Sequence, residues 1–316
     1  YTDEQKKVLL VRPGITDLAS IEFRNENDIL ANSKNPEKTY IEEIMPRKLE
    51  LNFEYLKNIS IIYDIKLILK TVKEIIEFSV LLSVYKNENP KFLLESIRSI
   101  YYTQTLKPTE IVLVEDGPLT DELYKVICDL EKELNGILKI VKLEKNVRLG
   151  NALKIGIENC SNELIARMDT DDIAFPERFE KQIMYLMENP EVDVLGSYMI
   201  EFFDNTGNIK VLKDAPLSNH KKYMKLRDPV NHPSVFFKKS KVIEAGNYIE
   251  ILYNEDSYLW GRMLANGCKF ANINEPLVYF RVNDDTYKRR GGLEYVKAEI
   301  KLQKEFLRIG IVNHYE

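Results

Sequence analysis

The sequence predicts an α/β fold, a mostly parallel central sheet flanked by helices, preceded by a small, mainly helical and loop N-terminal segment. Three observations carry this reading. From Phe78 onward, apolar strand-like runs alternate with amphipathic helical runs, the pattern of crossover units and a parallel sheet. Three of those strands stop in polar clusters, Ser83/Tyr85/Asn87, Glu115/Asp116 and Asp169/Asp171/Asp172, and in a parallel sheet such ends share one edge. Before residue 78 apolar residues are too sparse for an independent core, so residues 1–77 form an accessory domain and 78–316 the main one.

The first segment contains Val11-Arg12-Pro13-Gly14-Ile15-Thr16, whose Pro-Gly order suits a type II turn. A polar, Asn-rich stretch covers Arg24 to Lys38. Asn52 to Ile76 reads as a helix, with Ile61, Ile65, Ile68, Val72 and Ile75 on one stripe. The second segment opens with a buried strand over Phe78 to Tyr85. Asn89 and Pro90 then start a helix with Leu93, Leu94, Ile97, Ile100 and Tyr101 on one face. Ile111 to Val114 is a second strand. The helix from Asp121 to Leu134 follows, stopped by Asn135-Gly136. Ile137 to Leu143 is a third strand, Ala152 to Ile157 lies in a helix, and Leu164 to Met168 is a fourth strand. Leu293 to Leu307 reads as a closing amphipathic helix.

The chain centres chemically on Arg167-Met168-Asp169-Thr170-Asp171-Asp172. Three carboxylates within four residues repel one another unless a cation lies between them, and oxygen ligands favour Mg²⁺ or Mn²⁺ over zinc. The competing reading is an acidic turn in which Asp172 helps cap the helix near Pro176. Convergence of the strand ends on one pocket favours the metal. It also suits a nucleotide ligand whose base or ribose meets Asp116 and Tyr85, although Asp116 also suits a plain turn before Gly117-Pro118.

Composition narrows the function classes. A net charge of −5 and a pI near 5.6 give no basic footprint for general nucleic-acid binding. Cys128, Cys160 and Cys268 lack metal-type spacing and fit reduced thiols in small buried apolar roles. No uninterrupted apolar stretch approaches the ~20 residues of a membrane span. The best candidate, Ile59 to Ile76, is broken by five charged residues, Asp64, Lys66, Lys70, Lys73 and Glu74.

Two resemblances add to this. Arg12-Pro13-Gly14-Ile15-Thr16, with Tyr55-Leu56-Lys57-Asn58-Ile59-Ser60 and Tyr63 to Ile68, resembles the C-terminal end of bacterial sugar transferases. These monotopic phosphoglycosyl transferases load a sugar phosphate onto undecaprenyl phosphate. Asp17 stands where that family usually carries Gly, and nothing here matches its membrane re-entrant helix or its Asp-Glu dyad. Because the chain starts at Tyr1 rather than Met, this segment is expected to be the remnant of a longer protein, without activity of its own. Ser83-Val84-Tyr85-Lys86-Asn87, Val114-Glu115-Asp116-Gly117, Asn146 to Gly156, Asp169-Thr170-Asp171-Asp172 and Pro176 to Gln182 occur in the order of glycosyltransferase family 2. This second resemblance covers residues 78 to about 300 and implies the GT-A nucleotide-sugar-binding fold. Its details are most similar to enzymes of amylovoran-type exopolysaccharide and O-antigen assembly.

The resemblance implies an inverting, metal-dependent hexosyl or N-acetylhexosaminyl transfer from a UDP-sugar. Asp169, Asp171 and Asp172 would hold Mn²⁺ or Mg²⁺, while Ser83, Tyr85, Asn87, Asp116 and Asp169 would meet the donor. Asp256 of the Glu255-Asp256 pair matches the family's general base, and Glu255 would orient the acceptor. Trp260, one turn on, is expected to wall a sugar ring. His232 would touch the acceptor or the diphosphate, against the blander reading of a packed histidine. Arg289 and Arg290, beside Gly291-Gly292, suit a lid over the diphosphate. The paired resemblances imply an undecaprenyl-diphosphate-linked sugar as acceptor. They also imply work at the cytoplasmic face of the membrane, reached through a missing N-terminal part. Two alternatives fit less well. A sugar-1-phosphate nucleotidyltransferase needs a Gly-rich basic loop where Ser83 to Pro90 stands. A non-catalytic carbohydrate-binding scaffold has no use for an intact acidic motif.

Overall fold

The computed structural model describes residues 18–23, 26–31, 33–60, 63, 64, 67, 76–203, 209–282 and 292–312. The chain divides into two compact units, Tyr1–Ile76 and Glu77–Glu316.

In the first unit, helices α1 (Leu18–Glu22), α2 (Glu26–Ala31) and α3 (Pro36–Thr39) lead into a π-helical turn, Tyr40–Ile44, and helix α4 (Met45–Asn58). The helix expected from Asn52 thus begins earlier, with Pro46 in its first turn, and leaves helical geometry at Ile59. Leu18, Ala19, Leu51 and Leu67 form a small core, covered by Ile21, Phe23, Tyr55 and Tyr63. The turn at Val11 to Thr16 and the stripe Ile61, Ile65, Ile68, Val72 and Ile75 lie outside the described residues.

The second unit is built on a mixed sheet whose strands run in the order β3-β2-β1-β4-β8-β6-β9-β5, with β7 added beside β6. Strands β1 (Phe78–Val84), β2 (Glu110–Glu115), β3 (Leu138–Lys142) and β4 (Leu164–Arg167) are mutually parallel, with Val84 opposite Glu115 and Leu81 opposite Arg167. Their connections are helices α5 (Pro90–Tyr101), α6 (Asp121–Glu133) and α7 (Leu149–Asn159). The side chain of Asn89 accepts from the Lys91 N–H at 2.9 Å and starts α5 as expected. Leu93, Ile97 and Ile100 of α5 and Leu123, Ile127 and Leu130 of α6 are buried.

Beyond β4 the direction changes. Strands β5 (Ile173–Ala174), β6 (Val194–Phe202), β7 (Ile209–Lys213), β8 (Phe236–Lys238) and β9 (Phe270–Arg281) complete the sheet. β8 inserts antiparallel between β4 and β6, and β5 pairs antiparallel with β9. Only the first half therefore has the regular crossover pattern. Loops and short elements replace crossover helices in much of the second half, so alternation no longer fixes strand direction. Among the described residues the unit also contains helices α8 (Arg178–Glu188), α9 (His220–Tyr223), α10 (Lys239–Glu244), α11 (Glu255–Ala265) and α12 (Leu293–Arg308).

The main core joins Leu81, Val112, Val114 and Ile165 of the sheet to Ile157 of α7 and to Leu259, Trp260, Met263, Leu302 and Phe306 of α11 and α12. A Cβ on Gly261 would lie 2.5 Å from the Phe306 ring, so α12 seats on α11 only because that position carries no side chain. Two expectations need correction. Trp260 has no exposed surface and packs against His232, Phe237 and Phe270. It therefore cannot wall a sugar ring, because α12 and the sheet enclose it. Of the cysteines only Cys160 is a buried apolar residue, whereas Cys128 is exposed and Cys268 half-buried.

Candidate active site

The C-terminal ends of β1, β2 and β4 open into a cleft of about 1400 Å³, whose described lining residues belong to the second unit. Ser83 near the end of β1, and Tyr85 and Asn87 just beyond it, line the cleft. Asp116 follows β2 and is almost fully buried. Its carboxylate accepts from the Asn146 side chain at 2.8 Å and from the Val147 N–H at 2.6 Å, so it shapes the loop ahead of α7. Gly117 must be glycine, because its φ is +86° and a Cβ would approach the Asn146 nitrogen at 2.5 Å.

Asp169 and Asp171 face the cleft just beyond β4, while Asp172 turns beneath it. Donor oxygens of the three lie within 4.8 Å of one another. Asp172 does not cap α8. Its Oδ1 accepts from the Arg281 N–H on β9 at 2.8 Å, and its Oδ2 is buried without a partner. Burial and the neighbouring Asp169 and Glu88 push Asp171 up to about 7, and burial with Asp171 and Asp169 raises Asp172 well above the carboxylate range. An orphaned buried oxygen in a set of carboxylates this close fits a hard divalent cation. The loop itself is tied down from several sides. Ser96 Oγ donates to Asp169 O at 2.8 Å, Thr170 Oγ1 to Glu88 at 2.9 Å, and Arg281 Nε to Asp171 O at 2.8 Å.

A second carboxylate pair begins α11. Asp256 accepts from the Ser257 N–H at 2.8 Å, and its Oδ2 lies 3.5 Å from His232 Nδ1. The other ring nitrogen of His232 is 2.7 Å from the Tyr248 hydroxyl. Burial, then the charge of Arg167, holds His232 well below its usual pKa. In the tautomer protonated at Nδ1, the neutral ring accepts at Nε2 from Tyr248 and presents Nδ1 to the Asp256 side. This arrangement orients a base without neutralising it. Burial raises Asp256, and burial together with Asp256 pushes Glu255 up to about 7.

Arg167 is the main residue that the sequence motif contained without a role being read from it. Its guanidinium is 2 % exposed, lines the cleft and pairs with Asp169, yet its Nε and Nη1 have no partner. A charged residue at the end of the apolar run Leu164-Ile165-Ala166 was the available signal. Tyr248 and Arg281 carried no local signal, since both act through residues distant in sequence. Of the expected site residues, the cleft gathers Ser83, Tyr85, Asn87, Asp116, Asp169, Asp171, His232, Glu255 and Asp256. Trp260 is excluded, and Arg289 and Arg290 lie outside the described residues.

A match to Glycosyl transferase family 2 spans residues 79–241. The chain belongs to glycosyltransferase family 2. As a family member it is a glycosyltransferase, and a separate match to Bacterial sugar transferase spans residues 1–78. It is 40% identical over 241 residues to a UDP-Gal:alpha-D-GlcNAc-diphosphoundecaprenol beta-1,3-galactosyltransferase of Escherichia coli, covering 76% of this chain and 86% of that one. It is 44% identical over 229 residues to the amylovoran biosynthesis glycosyltransferase AmsE of Erwinia amylovora, covering 72% and 84%. Its fold is similar to that of S. aureus TarS 1-349 in complex with UDP-GlcNAc, with a TM-score of 0.58 at 19% identity over 73% of this chain and 67% of that one. The GT-A expectation for the second unit stands on this likeness and on the family match.

Proposed function

We propose that the chain transfers a hexose or N-acetylhexosamine from a UDP-sugar to a sugar carried on undecaprenyl diphosphate, with inversion at the anomeric carbon. The observation that carries this reading is that Asp169/Asp171 and Glu255/Asp256 line one cleft, which supports assigning the first pair to the leaving diphosphate and the second to the incoming hydroxyl. The acceptor class is supported by the Escherichia coli relative, whose name specifies UDP-Gal and a diphosphoundecaprenol-linked acceptor.

The base Asp256 removes the proton of the acceptor hydroxyl as that oxygen bonds to the anomeric carbon. The bond from this carbon to the donor phosphate breaks, and the electron pair leaves with the nucleoside diphosphate. His232, held by Tyr248, fixes the rotamer of Asp256. Arg167, paired with Asp169 at the cleft, contributes its positive charge on the anionic leaving side. Asp169, Asp171 and Asp172 would hold a divalent cation, which when bound supplies charge neutralisation of the diphosphate. Ser83, Tyr85 and Asn87 form the wall for the nucleoside.

The test is a panel of UDP-sugars offered with a GlcNAc-diphosphate-lipid analogue, followed by stereochemical assignment of the product. A β-linked product from an α-linked donor is expected. An α-linked product, or extension only of acceptors lacking the diphosphate, would overturn the reading.

A further inference from the structure

Helix α12 has two apolar faces, and the fold uses one. Ala298, Leu302 and Phe306 are buried against the main core. Leu293, Val296, Ile300 and Leu307 follow one another at steps of three, four and seven residues and form a second stripe on the outside. Leu293 is 79% exposed, Val296 51% and Ile300 50%. Beside this stripe runs a row of exposed cations, Lys297, Lys301 and Lys304, followed by Arg308, which pairs with Glu305 at 2.8 Å. An outward apolar stripe flanked by lysine and arginine is the pattern of a helix lying in the interface of an anionic bilayer, its hydrocarbon face in the acyl boundary and its cations among the headgroups.

The position of the helix links this face to catalysis. A shallow apolar groove along the stripe shares Tyr295, Glu299 and Gln303 with the lining of the catalytic cleft. The cleft rim also carries Leu226, 89% exposed, next to exposed Arg227. Lys221 and Lys222 are exposed nearby in sequence, and no acidic residue occurs between Asp214 and Asp228. Apolar and basic groups therefore occur together both on α12 and at the rim.

We infer that the outer face of α12, with the Leu226 rim, seats the second unit on an anionic membrane surface so that the cleft opens toward the headgroups. The inference rests on the lipid-linked acceptor proposed above. A diphosphate at the bilayer surface is within reach of a cleft held at that surface, whereas a freely diffusing enzyme would have to meet it from solution. The lysines suit anionic headgroups by charge and the outward stripe suits the acyl boundary, so an anionic bilayer is the occupant this inference commits to.

The experiment is flotation of the full chain with phosphatidylcholine vesicles, with and without phosphatidylglycerol. Wild type is expected to float with the anionic vesicles and to dissociate at high salt. The double variant Val296→Asp/Ile300→Asp and the triple variant Lys297→Glu/Lys301→Glu/Lys304→Glu should each reduce vesicle binding by about tenfold or more. All these positions are exposed, so the thermal midpoint should hold, as should transfer to a short-chain, water-soluble acceptor. Transfer to a vesicle-embedded acceptor should fall with binding. Wild-type-like flotation of both variants would overturn the inference by placing the contact elsewhere, for example on the first unit. A dimer in solution that Ile300→Asp separates would overturn it in favour of a second copy. Failure to extend any lipid-linked sugar, with vesicle binding intact and lost in both variants, would instead count against the proposed acceptor and leave the docking face standing.

Discussion

Asp256 is the residue on which the proposed chemistry turns. Asp256→Asn keeps a side-chain oxygen for the Ser257 N–H and removes the base. Donor affinity is expected to stay within a fewfold of wild type in a calorimetric titration, while transfer falls roughly 10²–10⁴-fold. The pH profile follows from the same pair. A base works only when ionised, and both carboxyls have pKa values raised by burial, Glu255 to about 7. Transfer should therefore decline as pH falls through the raised pKa of Asp256, a limb displaced upward from the ordinary carboxylate range. Glu255→Gln removes a like charge, so the acidic limb should move to lower pH; an unmoved limb would separate the two groups. The sign for stability is the reverse. A carboxyl with a raised folded pKa holds its proton more tightly in the folded chain, so this pair costs stability as pH rises from the ordinary carboxylate range toward 7. At the metal cluster, EDTA should abolish transfer and Mn²⁺ or Mg²⁺ restore it. Asp171→Asn should stay folded and lose that rescue, as read by activity and by thermal shift with the ion.

Among elements, α11 and α12 decide the shape of the cleft, because α11 carries Glu255 and Asp256 and α12 lines one side. Their joint is Gly261 against Phe306. Gly261→Val should displace α12 and lower the thermal midpoint by several degrees, given about 2–4 °C per kcal/mol for a unit of this size. It should also raise the acceptor KM more than the donor KM. Trp260 tests the same packing from inside. Trp260→Ala leaves a large cavity and should destabilise by about 3–5 kcal/mol in urea unfolding. Trp260→Phe should restore most of the stability with an unchanged acceptor KM, which a sugar-stacking tryptophan would not permit. Strain also concentrates at this edge. Arg148 and Tyr253, both lining the cleft, have φ of 72° and 66°, and the side chain of Arg148 is held by Glu250 at 2.6 Å.

At the scale of the whole molecule, the chain pairs a unit matching bacterial sugar transferases with a complete cleft in the unit that follows. Among the described residues, those lining that cleft lie between Ser83 and Phe306. Residues 77–316 expressed alone are therefore expected to keep the donor KM and the transfer rate to a soluble acceptor within about twofold of the full chain. A loss of more than tenfold, with the fold retained by circular dichroism, would show that the first unit completes the site. Among the described residues no helix is long and apolar enough to cross a membrane. The surface contact inferred for α12 thus concerns a helix lying on the bilayer, not spanning it.

The sequence by itself determined what local order can encode. Alternating strands and helices specified the parallel half of the sheet, and the polar strand ends announced an edge where Ser83, Asp116 and Asp169 would meet. Asp171 and the Glu255-Asp256 pair were legible because each stands in a short motif at an element boundary. Other features depended on partners far along the chain. Arg281 reaches Asp172 across 109 residues, and Tyr248 reaches His232 through a loop that has no periodicity. Trp260 looked like a sugar platform because it follows Asp256 by one turn, but the strand order and the docking of α12 enclose it. The closing helix was legible as amphipathic, yet only its packing shows which apolar stripe is spent on the core and which is left outside. Periodicity reports the faces of an element, whereas tertiary packing decides what each face meets.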